Sequence, residues 1–366
     1  MMNDFYAVIM AGGGGTRLWP LSRKSRPKQS LRLFDEKPLL KVAVDRVSPL
    51  IPMDRIMVVT VEEQAEQLQE MVPELPVSNF LLEPSPKGTA SVVGLAATLL
   101  EGMEPDSVMA VLTADHFIRD EGSFRSLLQG AYQVALTGDL ITLGISPTFA
   151  STGYGYIQRG DEMGQIEGYR YYRSLGFREK PPMDLAMDYF SSGDYSWNSG
   201  MFIWKSSRIL EEIQRYMPEL AQGLAEIGAV ANAPEMTAVL KKVWMGLESE
   251  TIDYGIMEHA EGVVVFSADN LGWIDIGSWD RLFEIMEGDD NGNIVLSDSS
   301  ILINTAGTLV INERSADRGR LIALLGAKNL IVVDTGDVIL ICNRSNAEDV
   351  RKIVKMLSDQ GMDSYL

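Results

Sequence analysis

The chain has 366 residues, 46% of them hydrophobic and 23% charged, ordinary globular proportions that exclude a disordered, collagen-like or fibrous protein. A formal charge of −19 disfavours a nucleic-acid partner, because binding to a phosphate backbone rests on clustered Lys and Arg. The single cysteine, Cys342, rules out an internal disulfide and a cysteine metal cluster. With no apolar run of about 18 residues and no basic stretch ahead of it, the chain is expected to be cytoplasmic, neither exported nor membrane-spanning.

Hydrophobic periodicity predicts a strand at Phe5–Met10, then a helix at Leu39–Val47 with Leu40, Ala43, Val44 and Val47 on one face, then a strand at Ile56–Val61. A helix at Glu62–Met71, a strand at Phe80–Leu82, a helix at Thr89–Leu100 and a strand at Val108–Leu112 follow. A helix at Ser123–Leu136 and a strand at Leu140–Leu143 complete the alternation. The pattern is that of an α/β fold, a mainly parallel Rossmann-like sheet with helices on both faces, whose ligands bind beyond the carboxyl ends of the strands. Between Thr152 and Ile203 the pieces become shorter and rich in Gly, Tyr and Trp, which predicts added antiparallel strands forming a lid or a pocket wall. A helix is expected at Ser206–Met217. The polar run EGDDNGN at Glu287–Asn293 marks a domain boundary, giving domains 1–288 and 289–366. Beyond it, Ile294–Ile341 reads as a small β unit with loose solenoid-like spacing. Asn346–Leu357 closes as an amphipathic helix with Val350, Ile353, Val354 and Leu357 on one side.

Two local features carry chemistry. Residues 5–34 contain Arg17, Arg23, Lys24, Arg26, Lys28 and Arg32 and no acidic residue, a positive island in an acidic chain that suggests a small polyanion site; a solvated basic face is the plainer reading. Inside it, Gly12-Gly13-Gly14-Gly15-Thr16-Arg17 follows the first strand. It fails both the G-x-G-x-x-G and the Walker patterns. Its glycines still let backbone N–H groups approach a polyphosphate, and Arg17 adds a fork of donors; a tight turn is the alternative. Asp115, just past a central strand, and Asp275 in WIDIGSW suit Mg2+, which takes one or two protein carboxylates with phosphate and water; each could equally be a turn or cap residue. His116 and His259 receive structural roles only.

The stretch GGGTRLWPLSR followed by PKQ resembles the sugar-1-phosphate nucleotidylyltransferases, and specifically the mannose-1-phosphate guanylyltransferase branch. The resemblance implies that Arg17 and Lys28 hold the triphosphate and the departing pyrophosphate over the glycine backbone, and that Asp115 and Asp275 are the metal ligands. Phe177-Arg178-Glu179-Lys180-Pro181 matches F-x-E-K-P, implying that Lys180 meets the sugar phosphate and Glu179 the sugar hydroxyls. Neighbours on a regular strand point to opposite faces, so those two can share a site only at a strand end or bulge. Asn198 in WNSGMF and Gly153 in GYGYI are implied sugar contacts. The segment Glu83 to Ala90 resembles the base-recognition element. A carboxylate there can accept both the ring N–H and the exocyclic amine of guanine, so Glu83 is expected to read the base, with Thr89 and Ala90 alongside; a helix-entry carboxylate is the alternative. Gly88 and Ser91 stand where the family commonly has Asn and Pro. ETIDYG at 250–255 is expected to support the pocket wall.

The expected reaction is GTP plus α-D-mannose 1-phosphate giving GDP-mannose and pyrophosphate, with Mg2+ and by a single in-line displacement. The nucleophile is already an anionic phosphate oxygen, so a chain with two His and one Cys needs no general base. Alternatives are another sugar 1-phosphate or nucleotide, or a non-catalytic nucleotide-sugar-sensing subunit; a dinucleotide-dependent oxidoreductase fails on its missing fingerprint. The chain reads as the short form of the enzyme, without an isomerase-type domain after Leu366. No membrane partner is expected, and an exposed apolar face on the β unit would make a homodimer.

Overall fold

The computed structural model describes residues 2, 4–13, 15–313 and 320–366. In chain order the elements begin β1 (Phe5–Met10), α1 (Leu39–Val47), β2 (Ile56–Val61), α2 (Ala65–Met71), β3 (Phe80–Glu83), α3 (Thr89–Met103), β4 (Val108–Thr113), β5 (His116–Ile118), α4 (Glu121–Ala135) and β6 (Leu140–Ile145). Then come β7 (Tyr156–Ile166), β8 (Tyr169–Arg178), α5 (Met183–Ser192), β9 (Tyr195–Lys205), α6 (Ser206–Tyr216), α7 (Pro218–Gly228), α8 (Met236–Gly246), β10 (Val263–Ser267) and β11 (Trp273–Asp275). The last stretch holds α9 (Leu282–Ile285), β12 (Ile294–Leu296), β13 (Ser300–Ile303), β14 (Leu309–Asn312), β15 (Ile322–Leu325), β16 (Leu330–Asp334), β17 (Ile339–Asn343) and α10 (Val350–Asp359). No helix among the described residues is long and apolar enough to cross a membrane.

The chain forms two compact units that do not follow chain order. The first comprises Met1–Gly12, Ala43–Ala114 and Ile118–Trp273; the second comprises Gly13–Val42, Asp115–Phe117 and Ile274–Leu366.

The first unit is built on a nine-stranded sheet in the order β3-β2-β1-β4-β9-β6-β10-β8-β7. Strands β1, β2 and β4 are apolar almost throughout and are buried on both faces, as parallel strands covered by helices must be. Helix α3, TASVVGLAATLLEGM, is buried nearly all round and packs against α6 and α7, so one face of the sheet is closed by two helical layers. The sheet is parallel from β3 to β4, but β9 enters antiparallel between β4 and β6, and β8 runs antiparallel to β10 and β7. The antiparallel strands expected after residue 152 are therefore members of the main sheet, and β9 lies inside it. Its inward Phe202 and Trp204 stack on one another in the core, which explains why so aromatic a strand sits centrally.

In the second unit, β12, β14 and β16 stack in parallel with Ile294, Leu309 and Ile331 in register, and β17 closes that face antiparallel; β13 pairs in parallel with β15 on another face. This is the β-helix-like unit with a final helix. Its core also takes in Leu18, Trp19, Leu21, Leu31, Leu33 and Leu39 from the segment after β1, beside Ile276, Trp279 and Val350. Trp19 donates to the Tyr365 carbonyl at 2.7 Å, and Trp279 donates to the Trp19 carbonyl at 3.1 Å. On α10, Val350 is buried and Val354 and Leu357 pack on this core, whereas Ile353 points to solvent.

Candidate active site

The second unit carries a cluster of cations and carboxylates. Asp115, two residues past β4, and Asp275, the last residue of β11, come together around the Lys28 ammonium. That group lies 2.6 Å from Asp115 Oδ2 and 4.0 Å from Asp275 Oδ1. Lys28 is placed there by a short helical turn, Lys28–Ser30, whose three residues are buried. Gly15 makes the approach possible: it has φ +51°, and a Cβ there would overlap the Ser22 hydroxyl and lie 2.7 Å from the Lys28 Cβ. Burial by itself would raise the Asp115 carboxyl, but the Lys28 ammonium overrides it and the group is held down at about 2. Asp115, His116 and Asp275 present donor atoms within 4.8 Å of one another. Two carboxylates suit a hard divalent cation such as Mg2+, and a cationic group already occupies the space between them, so the donor set fits that metal. His116 adds a nitrogen to the cluster, a donor better matched to softer metals.

Gly277 lies between Arg17 and Asp275, since a Cβ on it would sit 3.0 Å from the Arg17 Nη1 and 3.3 Å from the Asp275 Oδ2. Arg17 is anchored by Glu348, with Nε 3.3 Å from its carboxylate. The rest of the positive island has a different use from the polyanion site its composition suggests. Arg23 forks onto Asp337 at 2.6 and 2.8 Å, Arg26 pairs with Glu313, and Lys24 lies 3.8 Å from Asp363. These three cations fasten the segment after β1 to carboxylates of the second unit, whereas Arg17 and Lys28 lie beside Asp275 and Asp115. Gly12, Gly13 and Thr16 are exposed. Gly14, an expected nucleotide contact, lies outside the described residues.

The first unit carries two further clusters. In one, β8 ends at Arg178 and Lys180 adopts φ +44°, leaving the strand. That break lets neighbouring side chains meet: Lys180 Nζ donates to Glu179 Oε1 at 2.7 Å, as a strand end requires. The other Glu179 oxygen is buried and without a partner, and a Cβ on Gly155 would overlap it. Asn198, early in β9, donates to Asp253 Oδ1 at 2.8 Å, while its own oxygen accepts from Thr142 at 3.2 Å and from the Gly200 N–H at 3.1 Å. Asp253 opens a π-helical turn, Asp253–Met257. Burial, reinforced by the Glu179 charge, pushes its carboxyl up to about 6. Lys180 is raised although partial desolvation opposes it, because it donates to Glu179 and faces Asp253. Gly153 stands apart, exposed, with its N–H on the Ser151 hydroxyl at 3.1 Å. Gly155 and Asp253 are the residues of this cluster that sequence reasoning left without a role. Both lay inside quoted motifs, GYGYI and TIDYG.

In the other cluster Glu83 ends β3. It is buried, one of its oxygens has no partner, and desolvation pushes it up to about 7 although the Lys87 backbone N–H opposes that. Gly12 comes close: its Cβ would lie 3.1 Å from Glu83 Oε1. The following loop is zipped to residues 247–252. Ala90 N–H donates to the Glu250 carbonyl at 3.2 Å, Glu250 N–H to the Lys87 carbonyl at 3.1 Å, and Ile252 N–H to the Thr89 hydroxyl at 2.8 Å. Gly88, with φ +83°, is forced by this contact, since any Cβ would collide with the Glu250 carbonyl. An Asn at 88 does not fit this backbone.

A family model described as Nucleotidyl transferase matches residues 6–292, and one described as MannoseP isomerase/GMP-like beta-helix domain matches residues 298–357. The chain belongs to the nucleotidyl transferase family. A Salmonella typhimurium protein named mannose-1-phosphate guanylyltransferase RfbM is 36% identical over 368 residues, covering 99% of this chain and 74% of that protein. A mannose-1-phosphate guanylyltransferase of Escherichia coli K12 is 35% identical over 378 residues, covering 99% and 75%. A crystal structure from Thermus thermophilus, described as a mannose-1-phosphate geranyltransferase, is 35% identical with a TM-score of 0.84, covering 97% of this chain and 99% of that one. Within the family, the chain groups with the mannose-1-phosphate guanylyltransferases.

Proposed function

We infer that the chain is a nucleotidyltransferase that makes GDP-mannose and pyrophosphate from GTP and α-D-mannose 1-phosphate. The observation that carries this reading, beside the relatives' names, is a pair of buried acceptors without partners, one on Glu83 and one on Glu179. A buried polar atom left unpaired is costly, and each of these is answered by a donor on a substrate: guanine N–H groups for Glu83, sugar hydroxyls for Glu179.

Two substrates bring roughly six negative charges, and catalysis consists of neutralising and aligning them. Arg17 and Lys28 hold the triphosphate, with Gly12, Gly13, Gly15 and Thr16 offering backbone to it. Lys180 holds the sugar phosphate. Asp115 and Asp275 would hold Mg2+, which would supply charge screening and Lewis-acid chemistry to the phosphates. A phosphate oxygen of mannose 1-phosphate then bonds to the α-phosphorus as the bond from that phosphorus to the pyrophosphate oxygen breaks. No side chain takes a proton, because the nucleophile arrives ionised. Asn198 turns its amide N–H toward the sugar, with Asp253 and Thr142 fixing the orientation of its carboxamide. We place the activity in the cytoplasm, without nucleic-acid or membrane partners, and a domain boundary at 288/289. The exposed Ile301, Ile303 and Leu325 on β13 and β15 support a homodimer through that face, which light scattering checks.

Pyrophosphate release with Mg2+, over four nucleoside triphosphates crossed with mannose, glucose and other sugar 1-phosphates, tests the assignment. The expected result is turnover with GTP and mannose 1-phosphate. Turnover with a different pair would discard the substrates, and silence with intact nucleotide binding would discard the enzyme.

A further inference from the structure

In the second unit the chain beyond β17 packs onto the segment that follows β1. Ala347 and Val350 are buried in the same apolar core as Leu18 and Trp19, and the Trp19 indole donates to the Tyr365 carbonyl at 2.7 Å. Two charged residues stand at the edge of that contact. Arg17 immediately precedes Leu18, just after the glycine loop, and Glu348 lies between Ala347 and Val350. Burial of their neighbours fixes the backbone on both sides, so the 3.3 Å ion pair from Arg17 Nε to Glu348 joins two anchored points.

The pair is closest at one edge of the guanidinium. Glu348 meets Nε, whereas Nη1 lies on the side of Gly277 and Asp275: a Cβ on Gly277 would stand 3.0 Å from Nη1 and 3.3 Å from Asp275 Oδ2. No hydrogen bond to a described residue takes up the Nη groups. The guanidinium is a rigid planar fork, so holding its Nε edge also sets the direction in which the Nη donors point. A fork that is already ordered loses less freedom when an anion docks on it than one that must first be ordered. The same carboxylate could instead compete with that anion for Arg17. Its place decides against competition: it sits on the Nε edge, and with 57% of the Glu348 side chain exposed, water screens its repulsion.

We propose that Glu348 is a positioning residue for the nucleotide: from the C-terminal segment it braces Arg17, so that the Nη fork is set for the triphosphate. The inference rests on Arg17 binding the triphosphate, as in the function proposed above, and it gives the chain beyond the last strand a part in nucleotide binding. Both side chains are partly exposed, 39% for Arg17 and 57% for Glu348, so the pair carries little of the fold's stability and the brace is separable from folding.

Calorimetric titration of the full chain with GTP and Mg2+, without a sugar phosphate, tests the brace in wild type, Glu348→Ala, Arg17→Ala and the double variant. Glu348→Ala should weaken GTP binding about three- to fivefold with an unchanged melting curve. In the Arg17→Ala background the same substitution should have no effect, since the brace then has nothing to hold. Equal or tighter GTP binding by Glu348→Ala overturns the brace, as does a loss that persists undiminished without Arg17 or that comes with a lower melting temperature. Wild-type affinity in Arg17→Ala, or no GTP binding by wild type, sinks the nucleotide reading and the brace with it. A loss in Arg17→Ala beside none in Glu348→Ala sinks the brace alone.

Discussion

Two lysine–carboxylate clusters, one in each unit, use the same residue types to opposite ends. In the second unit Lys28, with 8% of its side chain exposed, sits between Asp115 and Asp275 and keeps Asp115 ionised far below neutrality. In the first unit Lys180, 54% exposed, is bound to Glu179 and shares its neighbourhood with Asp253, whose carboxyl is raised to about 6. One buried cation serving two carboxylates fixes charge, as metal and phosphate binding require. One exposed cation facing two crowded carboxylates leaves an acid that titrates near neutrality, which suits recognition of neutral hydroxyls. On the function proposed above, the clusters divide the work into chemistry and selection, and mutations should separate kcat from KM along the same line.

The largest effect is expected at the charge-fixing cluster. Asp275→Asn, or Lys28→Met, should lower kcat by about a thousandfold, because each removes stabilisation specific to the reacting phosphates; the Asn variant should keep its melting curve, whereas Lys28→Met should also melt lower, since it leaves Asp115 without the cation that holds its charge. Steady-state kinetics at saturating Mg2+ that showed less than a tenfold loss would dissolve the division. Glu83→Gln should follow, cutting the preference for GTP over ATP by about 10- to 100-fold, since an amide oxygen cannot accept both guanine N–H groups as strongly. Glu83 sits at about 7, so it becomes the charged acceptor as pH rises through that value. The KM for GTP should fall between pH 6 and 8 in wild type and stay flat in Glu83→Gln.

Asp253→Asn should raise the KM for mannose 1-phosphate about tenfold while kcat and the KM for GTP hold steady. It has a stability signature as well. The folded-state carboxyl lies above its ordinary 3.8, at about 6, so between those values the native chain holds a proton that the unfolded chain has released. Stability therefore falls as pH rises through that window, and the Asn variant should lose that part of the slope in a series of thermal melts. The smallest effect is expected at Arg23→Ala, which removes a partly exposed pair with Asp337. It should cost about 1 kcal/mol or less and leave both KM values unchanged. A weakened GTP affinity would restore the island's role as a polyanion site.

Much of this was legible because its determinants are local. β1, α1 and β2 follow from apolar runs whose ends are set by neighbouring residues, and the glycine loop with PKQ is one continuous signature. What escaped depends on distance along the chain. The basic island looks like a phosphate site until Arg23 meets Asp337, 314 residues on, and Arg26 meets Glu313, 287 residues on. Asp253 reads as wall material until it is seen on Asn198, 55 residues back. The place of β9 inside the sheet was hidden because antiparallel pairing with β4 and β6 leaves no period in the sequence. Gly88 shows the reverse, a departure from the family pattern that one contact with Glu250 explains.

The most direct measurement is the stereochemical course at the α-phosphorus, using GTP made chiral there by a single sulfur substitution and mannose 1-phosphate as acceptor. If phosphates are only aligned and neutralised, with no side chain as nucleophile, the configuration inverts in the GDP-mannose formed. Retention would mean two displacements through a covalent intermediate on the chain, and would contradict a catalysis built from Lys28, Asp115 and Asp275 by charge alone.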